Sequence, residues 1–569
     1  MHLSIVDTAG IQPYIFGSNR LRENIGASYL VAQATGTWAL ESVPGQNNVE
    51  DPSNGTLDPD KQIERGHLDA EVLYSGGGNV VVLFREEEEA EAFKRTLSEK
   101  VLERAPGLRL VATGLEFQWS GDKTLSARMR DLRRKLFRVK RDDPPSAPLL
   151  GLGVTAMCGS TGLPAIGMTP RIEGDPDSEY PASAEILEKH DAYEDANARL
   201  QETIELPGAF EYPRAFDDLG RTEGEMSYLA VVHADGNDMG KRISRIGERY
   251  DESAEGVGRD EMNRGYIRAI REYSRAVEEA AETAQRKTLE SLCASIDEDA
   301  GAIIHQNDQG DELNRIELDR ARQNGHPPGE ASWHLPFRPL VFGGDDLTFV
   351  SDGRLGLALA LDYVKRFEEE TERAFKKRDR REEWGGPITA CAGAAIVKTH
   401  YPFSRAYRLS TELTDSAKKF RREIRDQVDE DWDEACLDWH FSLDELDGSL
   451  NRIRDRRYSV PAGSLTLRPV ALDTNPKPGD EARTWNVVRQ GISVFQSEGW
   501  AGRRNKVKRL REALRQGESR VEQYTDAHGQ LPALDFPSKD PNLPESGWMN
   551  ERCAYFDAVE LSDLHMPLK

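Results

Sequence analysis

One pattern occurs twice along this chain: a β-rich run ending in aspartate, an apolar hairpin around a glycine turn, an amphipathic helix, a second β-rich run and a closing helix. A duplicated plan of this kind restricts the chain to two similar α+β units, each with helices laid on a sheet. In the later copy Tyr228-Leu-Ala-Val-Val-His233 is the first run and leads into Ala234-Asp235-Gly236-Asn237-Asp238-Met239-Gly240-Lys241. Pro339 to Phe342 and Leu347 to Val350 flank Gly343-Gly344-Asp345-Asp346, where the glycines supply the positive φ of a tight hairpin. Helical spacing of apolar residues follows over Leu355 to Lys377, then a strand over Pro387 to Val397 and a helix over Phe403 to Arg422. In the earlier copy the corresponding segments are Leu3-Ser-Ile-Val-Asp7-Thr-Ala-Gly10, the hairpin Leu73 to Phe84, the helix Glu86 to Arg104, the strand Leu108 to Phe117 and the helix Leu125 to Arg141.

The two copies differ in charge at the hairpin. Adjacent carboxylates at Asp345 and Asp346 repel, which is tolerable in water and costly in a cleft unless a cation lies between them. Oxygen ligands suit Mg²⁺ or Mn²⁺. An antiparallel sheet can bring Asp235 beside Asp345 and Asp346, so that two ions about 3.5 to 4 Å apart share the three groups. The plain alternative is a surface hairpin whose aspartates solvate the turn. Gly236 and Gly240 admit phosphates close to the backbone, with Asn237 in the same turn a candidate nucleotide contact. That turn lacks the glutamate at the twelfth position of an EF-hand loop. Ala417-Lys418-Lys419-Phe420-Arg421-Arg422 closes the second helix with basic residues, and Lys418 is the candidate for a triphosphate tail, against the alternative of a solvated helix face. In the first copy Gly78 and Asn79 stand where Asp345 and Asp346 stand in the second. It therefore lacks the ligands for metal-dependent chemistry, while Gly78 and Asn79 remain candidates to line a nucleotide site; a purely structural role is the alternative.

The fold class expected is α+β: two ferredoxin-like palm domains, the first degenerate and the second carrying the Gly-Gly-Asp-Asp hairpin, plus a connector and a C-terminal helical domain. Residues 1–142 form the degenerate palm, which breaks at Asp142-Asp143-Pro144-Pro145-Ser146-Ala147-Pro148. Residues 143–222 form a connector with a helix near Ala184 to Glu202. Residues 223–425 form the second palm, interrupted by an insertion over 243–335 that is helical over Tyr266 to Ile296 and loop-like over Asp297 to Pro336. Residues 426–569 form the helical C-terminal domain, with a mixed connector after Ser442, a helical segment over Thr484 to Gln523, and a Pro-rich, polar stretch over Asp526 to Lys569 that gives no functional signal.

A net charge of −25 opposes nonspecific binding of nucleic acid by the whole surface. The basic stretches Arg128 to Arg141 and Arg503 to Arg511 read first as solvated helix faces, with RNA or a partner subunit as the alternative. Cys158, Cys293, Cys391, Cys436 and Cys553 are scattered, with no Cys-x-x-Cys pair, so reduced thiols and no zinc module are expected. No apolar stretch is long enough for a bilayer, and the expected location is cytoplasmic, with no membrane partner.

Asp7-Thr-Ala-Gly-Ile-Gln-Pro-Tyr-Ile-Phe16, Leu21-Arg-Glu-Asn-Ile-Gly26-Ala-Ser-Tyr-Leu30, Gly76-Gly-Gly-Asn79, Asp235-Gly-Asn-Asp-Met-Gly240, Gly343-Gly-Asp-Asp346, Cys391-Ala-Gly-Ala-Ala-Ile396 and Ala417-Lys418 occur in that order. The set resembles the large palm subunit of type III CRISPR systems, the Cas-ten or Cmr-type polymerase/cyclase family. The resemblance implies conversion of ATP to cyclic oligoadenylates linked 3′ to 5′, with Asp235, Asp345 and Asp346 at the metal positions and Gly343 and Gly344 at the turn that admits the nucleotide. Lys418 matches a phosphate-contacting position. The partners implied are ATP and either CRISPR effector subunits with guide and target RNA or further copies of this chain acting alone. Many members carry an N-terminal HD nuclease domain, whereas here the first palm strand begins at His2 or Leu3 and His190-Asp191 is a lone dipeptide. Two other functions stand beside this one: a noncatalytic scaffold of an RNA-guided complex, and a cyclic dinucleotide synthase, against which Asp346-Leu347 replaces the Glu-Phe of diguanylate cyclases.

Overall fold

The computed structural model describes residues 1–142, 151–172, 178–206, 210–219, 227–251, 258–307, 309–320, 333–427, 432–442, 448–472, 480–497, 499–500, 503–536 and 541–569. Two compact units emerge, and neither is a continuous stretch of chain. The first comprises residues 1–205, 238–282 and 371–386, the second residues 206–237, 283–370 and 387–569. The architecture is α+β, with tandem palm-like sheets and a largely helical C-terminal region.

In the first unit four antiparallel strands lie in the order Ala70–Gly76, Asn79–Phe84, His2–Ala9, Arg109–Glu116. Val80 to Phe84 are wholly buried, as an inner strand requires. The helices Glu87–Arg104 and Leu125–Asp142 pack on this sheet, the first opened by a capping box between Glu86 and Glu89. Leu125, Met129, Leu132 and Leu136 form the buried stripe of the second. The helix expected near 184–202 is present as two, Ala184–Asp191 and Tyr193–Thr203, both packed on Leu21–Thr35.

The second unit holds a six-stranded sheet in the order Phe337–Gly343, Asp346–Asp352, Tyr228–Gly236, Ala390–Lys398, Cys436–Ser442, Val470–Ala471. Its first four strands are antiparallel, but Ala390–Lys398 and Cys436–Ser442 run parallel, so the sheet is mixed and continues past residue 425. Every residue of Cys436–Ser442 is buried. A strand covered on both faces shows no alternation, and its Asp438 is neutralised by Arg454 at 2.5 Å, so the run does not read as a strand locally.

Other differences from expectation have similar causes. The insertion's helix starts earlier, as Arg259–Ala294, and the segment expected as loop over Asp297 to Pro336 carries the strands Ala302–Gln306 and Glu312–Glu317, in an antiparallel sheet with Ile296–Asp297, and the short strand Trp333–His334. Glu312–Glu317 buries only Ile316 fully, so its composition resembles a loop. Residues 321–332 of that insertion lie outside the described residues. The C-terminal helical segment resolves into Trp485–Phe495, Arg504–Gln516 and Glu518–His528, and the tail beyond it carries the helix Phe556–Leu561 with Phe556 and Leu561 buried. Among the described residues, no helix is long and apolar enough to cross a membrane.

One close approach fixes the helix Phe403–Gln427 on the second sheet. A Cβ at Gly393 would lie 2.3 Å from Ser410 O and 2.4 Å from Thr414 N, both backbone atoms. Thr414 Oγ1 also donates to His233 O at 2.8 Å, fastening the helix to the neighbouring strand. Gly393→Ala is therefore expected to lower stability by about 3 kcal/mol, the upper end for overpacking, because backbone cannot rotate away as a side chain can. Denaturant unfolding checks this; a midpoint unchanged from the parent would show that the helix is free to shift.

Candidate active site

Pairing between strands gathers the acidic residues at one end of the second sheet. Tyr228–Gly236 pairs with Asp346–Asp352 so that Asp235 lies opposite Asp346, and with Ala390–Lys398 so that Asp235 also lies opposite Cys391. Side chains directly opposite on antiparallel strands are about 5 Å apart at Cβ. The hairpin closes with Gly343 opposite Asp346, leaving Gly344 and Asp345 as the two turn residues. Gly343 has φ 156° and Gly344 φ 61°, which glycine adopts without steric penalty. Gly236 N–H donates to Asp345 O at 3.0 Å, tying the tip of the hairpin to the strand that carries Asp235.

The electrostatics follow from that packing. Burial, and then the charge of Asp235, push the carboxyls of Asp345 and Asp346 up to about 7, with Lys418 pulling both back. Asp346 is divided: its side chain is 48 % exposed, yet Oδ1 is buried with no hydrogen-bond partner among the described residues and lies 3.3 Å from His233 Nδ1. His233 Nδ1 is also 3.1 Å from Thr348 Oγ1, and burial holds the imidazole below its usual range, hence neutral. At Asp235 the counter-charge is protein-borne, because Lys418 Nζ donates to Oδ2 at 2.5 Å and reaches Gly236 O at 3.5 Å.

Not every candidate faces the same way. Lys418, expected on a triphosphate, here sits on an expected metal ligand. Asn237, expected to touch nucleotide, is buried instead, with its N–H donating to Thr389 O at 2.8 Å and Nδ2 to Thr389 Oγ1 at 2.9 Å. It braces the turn that starts the helix Met239–Glu248, an element absent from the sequence reading. Among the described residues, no group of three or more His, Cys, Asp or Glu is arranged to hold a metal ion. The donors nevertheless fit a hard divalent ion: all are carboxylate oxygens, two carry raised affinities for protons, and one buried oxygen is unpartnered.

The first unit repeats the same frame without the hairpin acids. Asp7 lies opposite Asn79 and Val111, Gly76 lies opposite Asn79, and Gly76 and Gly77 have φ 151° and 59°. Gly78 and Asn79 therefore occupy the positions of Asp345 and Asp346. Lys140 Nζ pairs with Asp7 Oδ2 at 2.8 Å and donates to Thr8 O at 3.0 Å, as Lys418 does at Asp235 and Gly236. Sequence reasoning had not singled out Asp7–Lys140, His233 or Thr348; the matching place of Lys140 and Lys418, each the sixteenth residue of its helix, was the available signal.

Residues 228–428 match the family model described as Cas10/Cmr2, second palm domain. That stretch, the second palm, is the part of the chain similar to the Cas10/Cmr2 family. Asp235, Asp345, Asp346 and Lys418 all lie inside the matched stretch. Among solved structures, a chain of a Csm1–Csm4 cassette in complex with pppApApA is 12 % identical over 99 % of this chain and 69 % of that chain, with a TM-score of 0.50. The cassette in complex with one ATP is 14 % identical over 99 % and 70 %, with a TM-score of 0.47. Likeness at this level is one of fold. No curated protein matches the chain.

Proposed function

We propose that the second palm is a divalent-metal-dependent nucleotidyltransferase that joins ATP into cyclic oligoadenylates. The observation that carries this reading is the gathering of Asp235, Asp345 and Asp346 from paired strands with less positive charge than they need. These residues would hold Mg²⁺ or Mn²⁺, which supplies Lewis-acid activation of a hydroxyl and neutralises charge on phosphate when bound. The 3′-hydroxyl oxygen of one nucleotide attacks the α-phosphorus of the next, the bond to the bridging oxygen breaks, pyrophosphate leaves and the hydroxyl proton passes to water. The open turn at Gly343 and Gly344 admits the nucleotide without side-chain obstruction, while Gly236 is buried against the Asp345 side chain, and Lys418 meets the phosphates. Gly78 and Asn79 line a nucleotide in the degenerate palm. Adenine is drawn from the cassette of similar fold, which was crystallised with pppApApA. The expected partners are ATP and CRISPR effector subunits with their RNA.

Incubation of the purified chain with each nucleoside triphosphate and Mg²⁺ or Mn²⁺ is expected to consume ATP and yield cyclic oligoadenylates plus pyrophosphate. Product from GTP alone would replace this activity with cyclic dinucleotide synthesis. A noncatalytic scaffold is the second reading, favoured by the ammonium that already sits on Asp235; no turnover of any nucleotide, with effector subunits and target RNA supplied, would establish it.

His233 positions Asp346 in this scheme. His233→Leu removes the imidazole whose Nδ1 lies 3.3 Å from Asp346 Oδ1, and is expected to weaken Mn²⁺ binding roughly ten-fold, the range for losing a polar neighbour that orients a metal ligand. His233→Asn, whose amide can stand at the place of Nδ1, should retain most of the affinity. Equal affinity in the leucine variant and the parent, read by electron paramagnetic resonance of free Mn²⁺, would remove this role.

A further inference from the structure

The two palms share an Asp–Lys pair and differ in what surrounds it. In each, the aspartate ends the first strand opposite the last hairpin position, Asp7 to Asn79 and Asp235 to Asp346. In each, a lysine from the closing helix reaches that aspartate and the carbonyl of the next residue, Thr8 or Gly236. In the first palm one carboxylate meets one ammonium, and the pair is balanced. In the second, three carboxylates share the ammonium of Lys418, so the balance that holds Lys140 on Asp7 is missing. A lysine is a compact charge on a flexible stem with three donors, suited to exchanging one oxygen partner for another.

We propose that Lys418 is a place-holder cation: its ammonium occupies Asp235 until a divalent ion takes that carboxylate, and the displaced ammonium then engages the phosphates of the incoming nucleotide. The inference rests on the metal-dependent reading of the second palm. It assigns Lys418 two successive partners and makes metal and nucleotide binding cooperative through one side chain, because each ligand relieves a cost to the other. Lys140, with no hairpin carboxylates beside it, keeps Asp7 closed to metal.

The test measures Mn²⁺ binding by electron paramagnetic resonance on the full chain, with and without a non-hydrolysable ATP analogue. Lys418→Met is expected to bind Mn²⁺ about ten-fold tighter without nucleotide, to bind the analogue more weakly, and to lose about ten-fold of the coupling between the two ligands. Lys418→Gln, which keeps a polar end, should behave likewise and serves if the methionine variant does not fold. Lys140→Met should create no Mn²⁺ site. The proposal is overturned if removing the Lys418 ammonium leaves Mn²⁺ affinity unchanged or weaker. It is equally overturned if affinity rises but coupling stays at the parent value, since a stationary bystander charge would do that. Failure of the underlying reading has a different signature: Mn²⁺ binding by the parent that survives Asp345→Ala with Asp346→Ala places the ion elsewhere.

Discussion

Replacing Asp345 and Asp346 together by alanine is expected to abolish product formation while leaving the chain folded. Loss of the ion-binding oxygens removes on the order of 4 kcal/mol or more of transition-state stabilisation, roughly a 10³-fold fall in rate. The hairpin itself survives, because Gly343 and Gly344 set its turn. Stability should change with a definite sign. Both carboxyls are pushed up to about 7 in the fold, against an ordinary value of 3.8. Between those values the native state holds protons that the unfolded chain releases, so the parent loses stability as pH rises through that window and carries the full penalty above it. The double variant lacks the penalty. In metal-free buffer it should melt higher than the parent at about pH 8 and by a smaller margin at about pH 5, and saturating Mg²⁺ should narrow the difference at the higher pH. Product from the double variant, or identical pH dependence of the two proteins, would return these aspartates to the role of turn solvation.

The second large effect concerns the first palm. Glu71 lies on Ala70–Gly76, the strand that leads into the degenerate hairpin, and is 0 % exposed. Arg264 donates to its Oε1 at 2.6 Å and Oε2 at 2.9 Å, Arg271 donates to Oε1 at 2.9 Å, and Ile63 N–H donates to Oε2 at 3.0 Å. Both arginines belong to the helix Arg259–Ala294, so one carboxylate joins that helix to the sheet. A buried ion network contributes little over apolar packing, yet removing one member strands the rest. Glu71→Ala leaves two guanidinium groups in the interior, Arg264 keeping Glu64 and Arg271 keeping the carbonyls of Val72 and Leu73. The expected cost is about 3 to 5 kcal/mol. Glu71→Gln, which keeps hydrogen-bonding oxygen while losing charge, should cost less. Calorimetric unfolding separates them; equal melting of Glu71→Ala and the parent would show that water reaches the arginines.

Much of the architecture was legible because its causes are local. The helices Glu87–Arg104, Gly356–Lys377 and Phe403–Gln427 follow from the spacing of apolar residues within each segment, and the Gly343–Asp346 turn from the two glycines that occupy it. The strand Cys436–Ser442 was hidden, since burial on both faces removes alternation and Asp438 reads as a surface residue until Arg454 is seen to neutralise it. Likewise Glu312–Glu317 owes its strand to a neighbouring strand, not to its own polar composition.

By itself the amino-acid order determined which acids end a strand or cap a hairpin, and that the same plan appears twice with the hairpin charge removed once. Only tertiary structure decided where their counter-charges come from. Lys418 reaches Asp235 across 183 positions of sequence, and His233 meets Asp346 through the register of paired strands. Periodicity and turn chemistry are properties of neighbours along the chain, whereas the partner of a charge is set by which distant backbone folds within reach of it.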